Sequence, residues 1–283
     1  MTDTHSYDEA LVGRALEVAT MLARQAGGIL LDRLNAERTV THKGVVDLVT
    51  DADEASEALI HLGLTEAFPD HRIMGEEGSI GAKASIADQP WGWVFDPLDG
   101  TTNYAHRYPH FAVSIALEYA AEPVMGVVYD PTRDELFAAS KGHGATLNGA
   151  PIHVTQETEL QHALLATGFS YNMADRPQQY VMWEVFNGAA RGVRRDGAAA
   201  LDLCWGAAGR LDGFFERPVQ AWDMGAGVII AREAGAKVTA LEHEGFDLYT
   251  PEALAANPVL HAEIQRLLKD IGQKHPRSTP APM

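Results

Sequence analysis

The stretch of residues 93–104 constrains the fold of this chain more than any other. An apolar, β-prone run leads into Asp96, and Pro97 lacks the N–H that a central strand would use, so a strand is predicted to end there. Asp99 follows, and Gly100 then precedes two threonines that can cap a new helix. The sequence therefore predicts a sharp turn that presents two carboxylates beside a helix N-terminus.

Such a turn favours phosphate and metal ions together. The N-terminus of a helix offers free N–H groups and a positive dipole, which suit a phosphate, and Gly100 has no Cβ to hold an anion away. Two bare carboxylates about 4 Å apart would repel each other by roughly 4 kcal/mol at an effective dielectric constant of about 20, and both would repel a phosphate. Cations between these groups would remove the repulsion, so we interpret the stretch as a metal-and-phosphate site.

Composition excludes several classes of protein. The chain has 283 residues, 46% of them hydrophobic, which is enough for a large core in one or two closely packed units. Its 39 acidic residues outnumber 22 basic ones, which argues against a nucleic-acid or anionic-membrane binder. Cys204 is the single cysteine, so no intrachain disulfide or thiolate zinc site can form. No apolar run approaches the ~20 residues of a membrane span and no signal-peptide pattern is present, so we expect a soluble cytoplasmic protein.

Hydrophobic periodicity and turn signals predict layered α and β structure. In the first part we expect a helix over 8–34, a hairpin over 37–50, a helix from Thr50 or Asp51 to about Ala67, a strand over 72–74, a surface loop over 79–90, the central strand, and a meander with strands over 113–119, 124–129 and 135–139. From about residue 155 we expect strands over 163–167, 191–194, 211–216 and 237–240, and helices over 175–188, 197–208, 221–234 and 258–272. The proline-containing tail, 273–283, is predicted to be disordered.

Acidic residues recur where a site on a sheet would be built, at the ends of strands and the starts of helices. The four acidic stretches are residues 47–53, Glu76 with Glu77, Asp96 with Asp99, and Asp223. An isolated acid in such a position is usually solvated or stabilises a helix dipole, and that explanation stays open for all but the third stretch. The third stretch is more specific, because Asp96, Asp99 and the glycine and threonines that follow them predict a turn, an anion-binding site and metal ligands together.

Five motifs follow one another along the chain. They are Gly75-Glu76-Glu77, Asp96-Pro-Leu-Asp-Gly-Thr-Thr-Asn103, Arg195-Asp-Gly-Ala-Ala-Ala-Leu-Asp202, Gly209-Arg-Leu-Asp-Gly-Phe-Phe-Glu216, and Trp222-Asp223 with the downstream Glu233-Ala-Gly235. In type and order they resemble the signatures of the inositol monophosphatase family, and the resemblance covers about residues 10–270. The resemblance implies a layered αβαβα sandwich of the inositol monophosphatase and fructose-1,6-bisphosphatase type. We expect one domain over residues 1–272, in which the parts 1–154 and 155–272 pack together.

The resemblance also implies Mg²⁺-dependent hydrolysis of phosphate monoesters, lithium inhibition, a homodimer, and two to three Mg²⁺ ions per active site. One Mg²⁺ would be held by Glu76, Asp96 and the carbonyl of Leu98, and a second by Asp96, Asp99 and Asp223. Carboxylate and carbonyl oxygens are the ligands that Mg²⁺ prefers. In two-metal catalysis one cation lowers the pKa of a water molecule while the other stabilises the leaving alkoxide.

The resemblance assigns the remaining site residues to water, phosphate and alcohol. Glu77 would lie beside the water shell of the first metal, and Thr101 with Asp47 would orient the attacking water. The N–H groups of Gly100 and Thr101 would bind the phosphate. The alcohol portion of the substrate would contact Gly197, Ala198, Ala199, Glu216 and Asp223.

Two other kinds of reactive side chain have simpler explanations. His106 and His110 are four apart, but Pro109 between them breaks the helix that would align them on one metal ion. Cys204 lies on an apolar stripe at helical spacing, so packing is favoured over nucleophilic chemistry.

A covalent phosphatase is a weaker alternative. Asp51-Ala-Asp53 follows a β-prone run, as does the loop of an aspartyl-phosphate phosphatase. However, Ala55 stands where such a loop has Thr or Val, and no lysine-bearing partner motif is evident. Hydrolysis without a covalent intermediate is therefore favoured.

One departure from the family pattern concerns substrate choice. Ala198 stands where many family members have Ser or Thr, so we expect Asp196 to cap the following helix instead and to lie at the rim of the alcohol pocket. With Glu216 it would disfavour a second phosphate, although Arg194 and Arg195 oppose this effect. We expect inositol monophosphate as the substrate. The alternatives are fructose 1,6-bisphosphate, a nucleotide 3′-phosphate, histidinol phosphate, or a non-catalytic regulatory protein on the same fold.

Overall fold

A computed structural model describes residues 8–34, 40–42, 48–78 and 85–275. Its helices are α1 Glu9–Leu34, α2 Asp51–Ala67, α3 Thr101–Ala105, α4 Arg176–Ala189, α5 Ala199–Ala207, α6 Ala221–Glu233 and α7 Pro258–Lys274, with a 3-10 turn at Leu160–His162. Its strands are β1 Val40–His42, β2 Leu48–Thr50, β3 Arg72–Gly75, β4 Trp91–Asp99, β5 Ala112–Tyr119, β6 Glu122–Asp130, β7 Glu135–Ser140, β8 Ala145–Leu147, β9 Ala150–Ile152, β10 Leu164–Ala166, β11 Gly192–Arg194, β12 Gly213–Glu216, β13 Lys237–Thr239 and β14 Ala253–Ala256.

The first large sheet has the strand order β3-β4-β5-β6-β7-β8-β9. Strand β3 runs parallel to β4, and every other neighbouring pair is antiparallel. Because successive side chains of a strand point to opposite faces, Trp93 and Phe95 pack with α1 and α2 on one side, whereas Val94 packs with α5 and α6 on the other. Both faces of this sheet are therefore covered by helices.

The second sheet has the order β11-β10-β12-β14-β13, with β10 parallel to both of its neighbours. One face packs against α4 and α7, through residues such as Phe186, Phe215 and Leu260. The other face packs against α5 and α6, where Phe214 lies in the same core cluster as Val94 of the first sheet. The layers are helices, sheet, helices, sheet, helices, which confirms the expected αβαβα fold.

Most predicted elements occur within a few residues of their expected bounds, but the central strand differs. Strand β4 continues past Pro97 to Asp99, since the pairing with β5 shifts between Asp96, opposite Ser114, and Asp99, opposite Ala112. This β-bulge adds one residue to β4, and a proline inside it removes no ladder hydrogen bond. The prediction that Pro97 ends the strand is wrong for this reason.

The remaining differences include a missed strand and an extended C-terminal helix. Strand β14 was not expected because its four small or apolar residues, buried throughout, show no alternation. Helix α7 extends to Lys274, and most of the tail predicted to be disordered lies outside the described residues. Among the helices that the structure describes, none is long and apolar enough to cross a membrane.

Cys204 lies in the helical layer between the two sheets and is buried. Burial raises the pKa of its thiol well above the usual value. Both observations agree with the predicted packing role.

Candidate active site

A cavity of about 340 Å³ opens where the end of β4 meets the N-termini of α5 and α6. Five of its wall residues are acidic, namely Glu76, Asp96, Asp99, Glu216 and Asp223. The wall also contains Leu98, Gly100, Thr101, Gly168, Phe169, Ser170, Tyr171, Asn172, Arg195, Gly197, Ala198, Ala199, Pro218, Gln220 and Trp222. The structure therefore brings together every predicted metal ligand and every predicted substrate contact.

Strand pairing explains why the acidic residues converge. Glu76 follows β3 directly, and because β3 is parallel to β4 with Gly75 opposite Phe95, Glu76 lies beside Asp96. The bulge then returns Asp99 to the same edge of the sheet. Asp223 comes from the first turn of α6, where its Oδ2 accepts a hydrogen bond from the N–H of Gln220 at 2.8 Å.

The pKa values of several of these carboxyl groups are raised because the groups are buried and close to one another. Burial, followed by the charges of Glu76, Asp99 and Asp223, raises the pKa of Asp96 well above its usual value. Burial and the charge of Asp223 do the same for Asp99, and burial raises the pKa of Asp223 to about 6. Burial, with the charge of Asp202, raises the pKa of Glu216 to about 8. These groups lie close enough to repel one another, as the predicted cation site requires.

Asp99 also connects the end of β4 to the start of α5. Its Oδ2 accepts a 2.7 Å hydrogen bond from the N–H of Ala200, in the first turn of α5. Helix α5 begins at Ala199 and its N-cap, Ala198, contributes no side-chain hydrogen bond. The prediction that Asp196 caps this helix is therefore wrong, because the carboxylate of Asp99 reaches the free N–H from the neighbouring strand.

The backbone at Gly100 fits the predicted anion-binding position. Its φ of 94° is in the left-handed region, and a Cβ there would lie 3.0 Å from the carbonyl oxygen of His110. Gly100 is itself the N-cap of α3, so the prediction that a threonine side chain caps this helix is wrong. Instead, Thr101 Oγ1 lies 3.1 Å from both Asp53 Oδ1 and the carbonyl oxygen of Leu98.

Sequence reasoning missed the role of helix α2, whose buried face contacts the bulge of β4 and the turn at Thr101. Asp53 is fully buried and contacts Thr101, whereas the predicted partner of Thr101, Asp47, lies outside the described residues. The hydroxyl of Ser56 donates a 2.9 Å hydrogen bond to the carbonyl oxygen of Pro97 in the bulge. The signal was present in the sequence, because residues 53, 56, 57, 60 and 64 share one helical face and are all buried.

Glu77 occupies a different place from Glu76. It is absent from the cavity wall, and its backbone N–H donates a 2.8 Å hydrogen bond to Oε2 of the buried Glu57 on α2. This bond fixes the chain directly after Glu76. The predicted position of Glu77 beside a metal's water shell stays a prediction.

On the alcohol side, the position of Glu216 depends on a glycine. A Cβ at Gly168 would overlap the Glu216 carboxylate. Residues 168–172 and Arg195 line the cavity. No sequence motif indicated that residues 168–172 would belong to the site. Arg195 lowers the pKa of Glu216 in opposition to burial. Asp196 does not line the cavity, so its predicted place at the rim is wrong.

Asp196 belongs instead to a second group of polar side chains. One ligand atom each from His110, Asp196 and Asp202 lie within 4.8 Å of one another, an arrangement that could hold a metal ion. His106 is exposed and lies outside this group.

Comparison with known proteins agrees with the motifs. The family model described as the inositol monophosphatase family matches residues 13–273. An inositol-1-monophosphatase of Synechocystis is 43% identical over 256 residues, covering 89% of this chain and 88% of that protein. Nus factor SuhB of Pseudomonas aeruginosa is 44% identical over 230 residues, covering 79% and 84%. The solved structure of an inositol monophosphatase from Anabaena (Nostoc) superposes with a TM-score of 0.82 at 40% identity, covering 92% of this chain and 97% of that one.

Proposed function

Because the chain belongs to the inositol monophosphatase family, we propose that it hydrolyses phosphate monoesters with Mg²⁺ as its cofactor and inositol monophosphate as its preferred substrate. The observation that carries the proposal is the convergence of Glu76, Asp96, Asp99 and Asp223 beside the glycine turn at Gly100. Four carboxylates are unstable together in a buried wall unless cations or protons neutralise them. Cations bound by these carboxylates would lie beside the phosphate of a substrate, as a metal-dependent phosphatase requires.

The donor atoms fit Mg²⁺. The carboxylates of Glu76, Asp96, Asp99 and Asp223 and the carbonyl of Leu98 are all hard oxygen ligands, and no histidine or cysteine lines this cavity as described. When bound, two to three Mg²⁺ ions would neutralise the carboxylates, polarise the phosphoryl group and ease deprotonation of a water molecule. The raised pKa of Asp96, caused by burial and three neighbouring charges, is the property that a cation would reverse.

The residues of the chain itself would orient the reactants. The hydroxyl of Thr101, held between Asp53 and the Leu98 carbonyl, would position the attacking water, with Asp47 and Glu77 in supporting roles. The N–H groups of Gly100 and Thr101 would bind a phosphate oxygen, since no Cβ obstructs their approach. Gly100 is buried, and a fixed dipole in a buried setting stabilises developing charge more strongly than it does in water.

Glu216 would recognise the alcohol. A carboxyl group whose pKa is raised to about 8 by burial is mostly protonated at neutral pH, so it can donate a hydrogen bond to a neutral hydroxyl. Asp223 and the Gly197, Ala198 and Ala199 turn would complete this side of the pocket. Small apolar side chains in the turn leave room for a ring of hydroxyl groups, which supports a polyol phosphate.

Phosphate release from a panel of substrates tests this function. With Mg²⁺ present we expect the highest kcat/KM on inositol 1-phosphate, less on fructose 1,6-bisphosphate, a nucleotide 3′-phosphate and histidinol phosphate, and none with EDTA. Arg195 on the cavity wall favours the bisphosphate alternative, so a preference for fructose 1,6-bisphosphate would overturn the substrate assignment alone. Failure to hydrolyse any of them with Mg²⁺ would overturn the activity.

The similarity to a protein named Nus factor SuhB supports a second candidate, a regulatory protein on this fold. A purely regulatory chain would release no phosphate, and Glu76→Gln would then behave like the wild type in that assay. Lithium inhibition and a homodimer are expected on the family resemblance, and a cytoplasmic location is expected from the composition. Enzyme assays with Li⁺ and sedimentation would test the first two.

A further inference from the structure

The group formed by His110, Asp196 and Asp202 lies apart from the catalytic cavity. His110 precedes β5, Asp196 lies between β11 and α5, and Asp202 is in the first turn of α5. None of the three lines the cavity, yet one ligand atom from each lies within 4.8 Å of the other two. The fold thus brings an imidazole and two carboxylates from three segments to one point.

Two atoms of this group lack the partners that buried polar atoms normally have. His110 Nε2 and Asp202 Oδ1 face each other at 3.7 Å, too far for a hydrogen bond, and their side chains are 3% and 1% exposed. In the described part of the chain neither atom has a hydrogen-bond partner. The two atoms are within ion-pair distance of each other, but most buried polar atoms also make a hydrogen bond, and a cation shared with Asp196 would give both a direct partner.

The surroundings hold the imidazole of His110 and the helix that carries Asp202 in place. The imidazole of His110 packs edge-on against the indole of Trp205, with ring centroids 4.9 Å apart. Asp202 is part of α5, where its backbone N–H donates to the carbonyl oxygen of Ala198. A site whose ligand atoms are positioned before binding loses little entropy when the ligand arrives.

We propose that His110, Asp196 and Asp202 bind one divalent transition-metal cation, with Zn²⁺ as the best-suited ion. Imidazole nitrogen and carboxylate oxygen are both zinc ligands, whereas Mg²⁺ prefers oxygen ligands alone. A cation would also compensate the two acidic groups. Burial, with the charge of Asp196, raises the pKa of Asp202 to about 6, and His110 and then Arg195 oppose that shift only in part.

The position of the site connects it to the catalytic cavity. The side-chain amide of Asn103 donates hydrogen bonds to the carbonyl oxygens of both His110, at 2.7 Å, and Asp196, at 2.8 Å. Gly197 follows Asp196 and lines the cavity. A metal ion here would therefore tie the loop after α3 to the turn before α5, and we expect it to stabilise the protein.

Zinc binding can be measured without reference to phosphatase activity. The wild type and His110→Gln are dialysed against Zn²⁺ in excess Mg²⁺, and bound zinc is counted in each. Both proteins keep the carboxylate cavity, so any zinc bound there contributes equally to both and drops out of the difference between them. We expect His110→Gln to bind about one Zn²⁺ fewer per chain than the wild type. His106→Gln removes an exposed histidine four positions away and is the matched control, expected to bind as the wild type does.

A second variant separates lost binding from lost folding. Asp202→Asn removes a buried charge, so its metal-free form should melt no lower than the metal-free wild type. We expect Zn²⁺ to raise the melting temperature of the wild type and of His106→Gln by more than that of Asp202→Asn. Equal zinc content in the wild type and His110→Gln, or an equal rise in melting temperature in all variants, would show a buried ion pair instead and overturn the proposal.

Discussion

At the scale of single residues, Asp99 combines a ligand role with a structural one. It is proposed as a metal ligand, and it also accepts the N–H of Ala200 at the start of α5. An asparagine can still accept that hydrogen bond through its side-chain oxygen, but it carries no charge. The two roles can therefore be separated by one substitution.

We predict that Asp99→Asn lowers kcat by at least about 10²-fold at saturating Mg²⁺, because one fixed electrostatic contact of this kind contributes a few kcal/mol to catalysis. Circular dichroism should show an unchanged fold. Asp270→Asn, which alters an exposed carboxylate on α7, is the control and should keep full activity. Near-normal turnover in Asp99→Asn would remove it from the ligand set.

Gly168 provides a second test at this scale. Because a Cβ there would overlap the Glu216 carboxyl group, Gly168→Ala should displace Glu216 and raise KM for inositol 1-phosphate by up to about tenfold, the effect of losing one neutral hydrogen bond. Gly188→Ala on α4 meets no atom within 4 Å and should leave KM unchanged. If both variants keep the wild-type KM, Glu216 does not contact the substrate.

At the scale of secondary-structure elements, α2 acts as the support of the active-site loops. Asp53, Ser56 and Glu57 all lie on its buried face and contact, in turn, Thr101, the Pro97 carbonyl and the chain after Glu76. A helix normally buries an apolar stripe, so three polar side chains on that face show that the helix positions a site as well as packing against the sheet.

We predict that Ser56→Ala destabilises the protein by about 1–3 kcal/mol, since the buried Pro97 carbonyl loses its partner. It should also lower kcat/KM, because the bulge at Pro97 lies between Asp96 and Asp99. Thr65→Ala on the exposed side of the same helix is the matched control. Urea unfolding and phosphate release together check this, and a loss of stability with full activity would contradict the positioning role.

At the scale of the whole molecule, the charge of −17 and the crowded carboxylates link stability to metal ions. We predict that EDTA lowers the melting temperature and Mg²⁺ restores it, with a gain of roughly 2.7 kcal/mol at a hundred times the dissociation constant. The gain should shrink in Asp223→Asn, which removes one of the converging charges. A melting temperature indifferent to both reagents would show that these carboxylates do not form the metal site.

Stability should also depend on pH in the metal-free protein. Burial raises the pKa of Glu216 to about 8 from an ordinary value of 4.5, so the folded chain binds this proton more tightly than the unfolded chain does. Its contribution to stability is therefore full below pH 4.5 and is lost as pH rises towards 8. Urea unfolding in EDTA should show lower stability at pH 8 than at pH 6.5. Glu216→Gln should flatten that slope, and a slope unchanged in this variant would contradict the raised pKa.

Much of this molecule follows from local sequence. The periodicity of α1 and α2, the meander of β5 to β7 and the turn signals between them depend on neighbours in the chain, so composition and spacing predict them. The members of the proposed metal ligand set can also be recognised locally, because Glu76, Asp96 and Asp99 each belong to a motif with a turn or glycine, although strand pairing is what brings them together.

The remaining features depend on contacts between distant segments, which no local pattern records. Asp99, rather than the neighbouring Asp196, caps α5 because the packing of that helix against the first sheet brings to it a carboxylate from 101 positions away. Pro97 does not end β4 because a bulge against β5 absorbs it. The group of His110, Asp196 and Asp202 exists only because packing of the two sheets brings three segments to one point, where burial decides which polar atoms find partners.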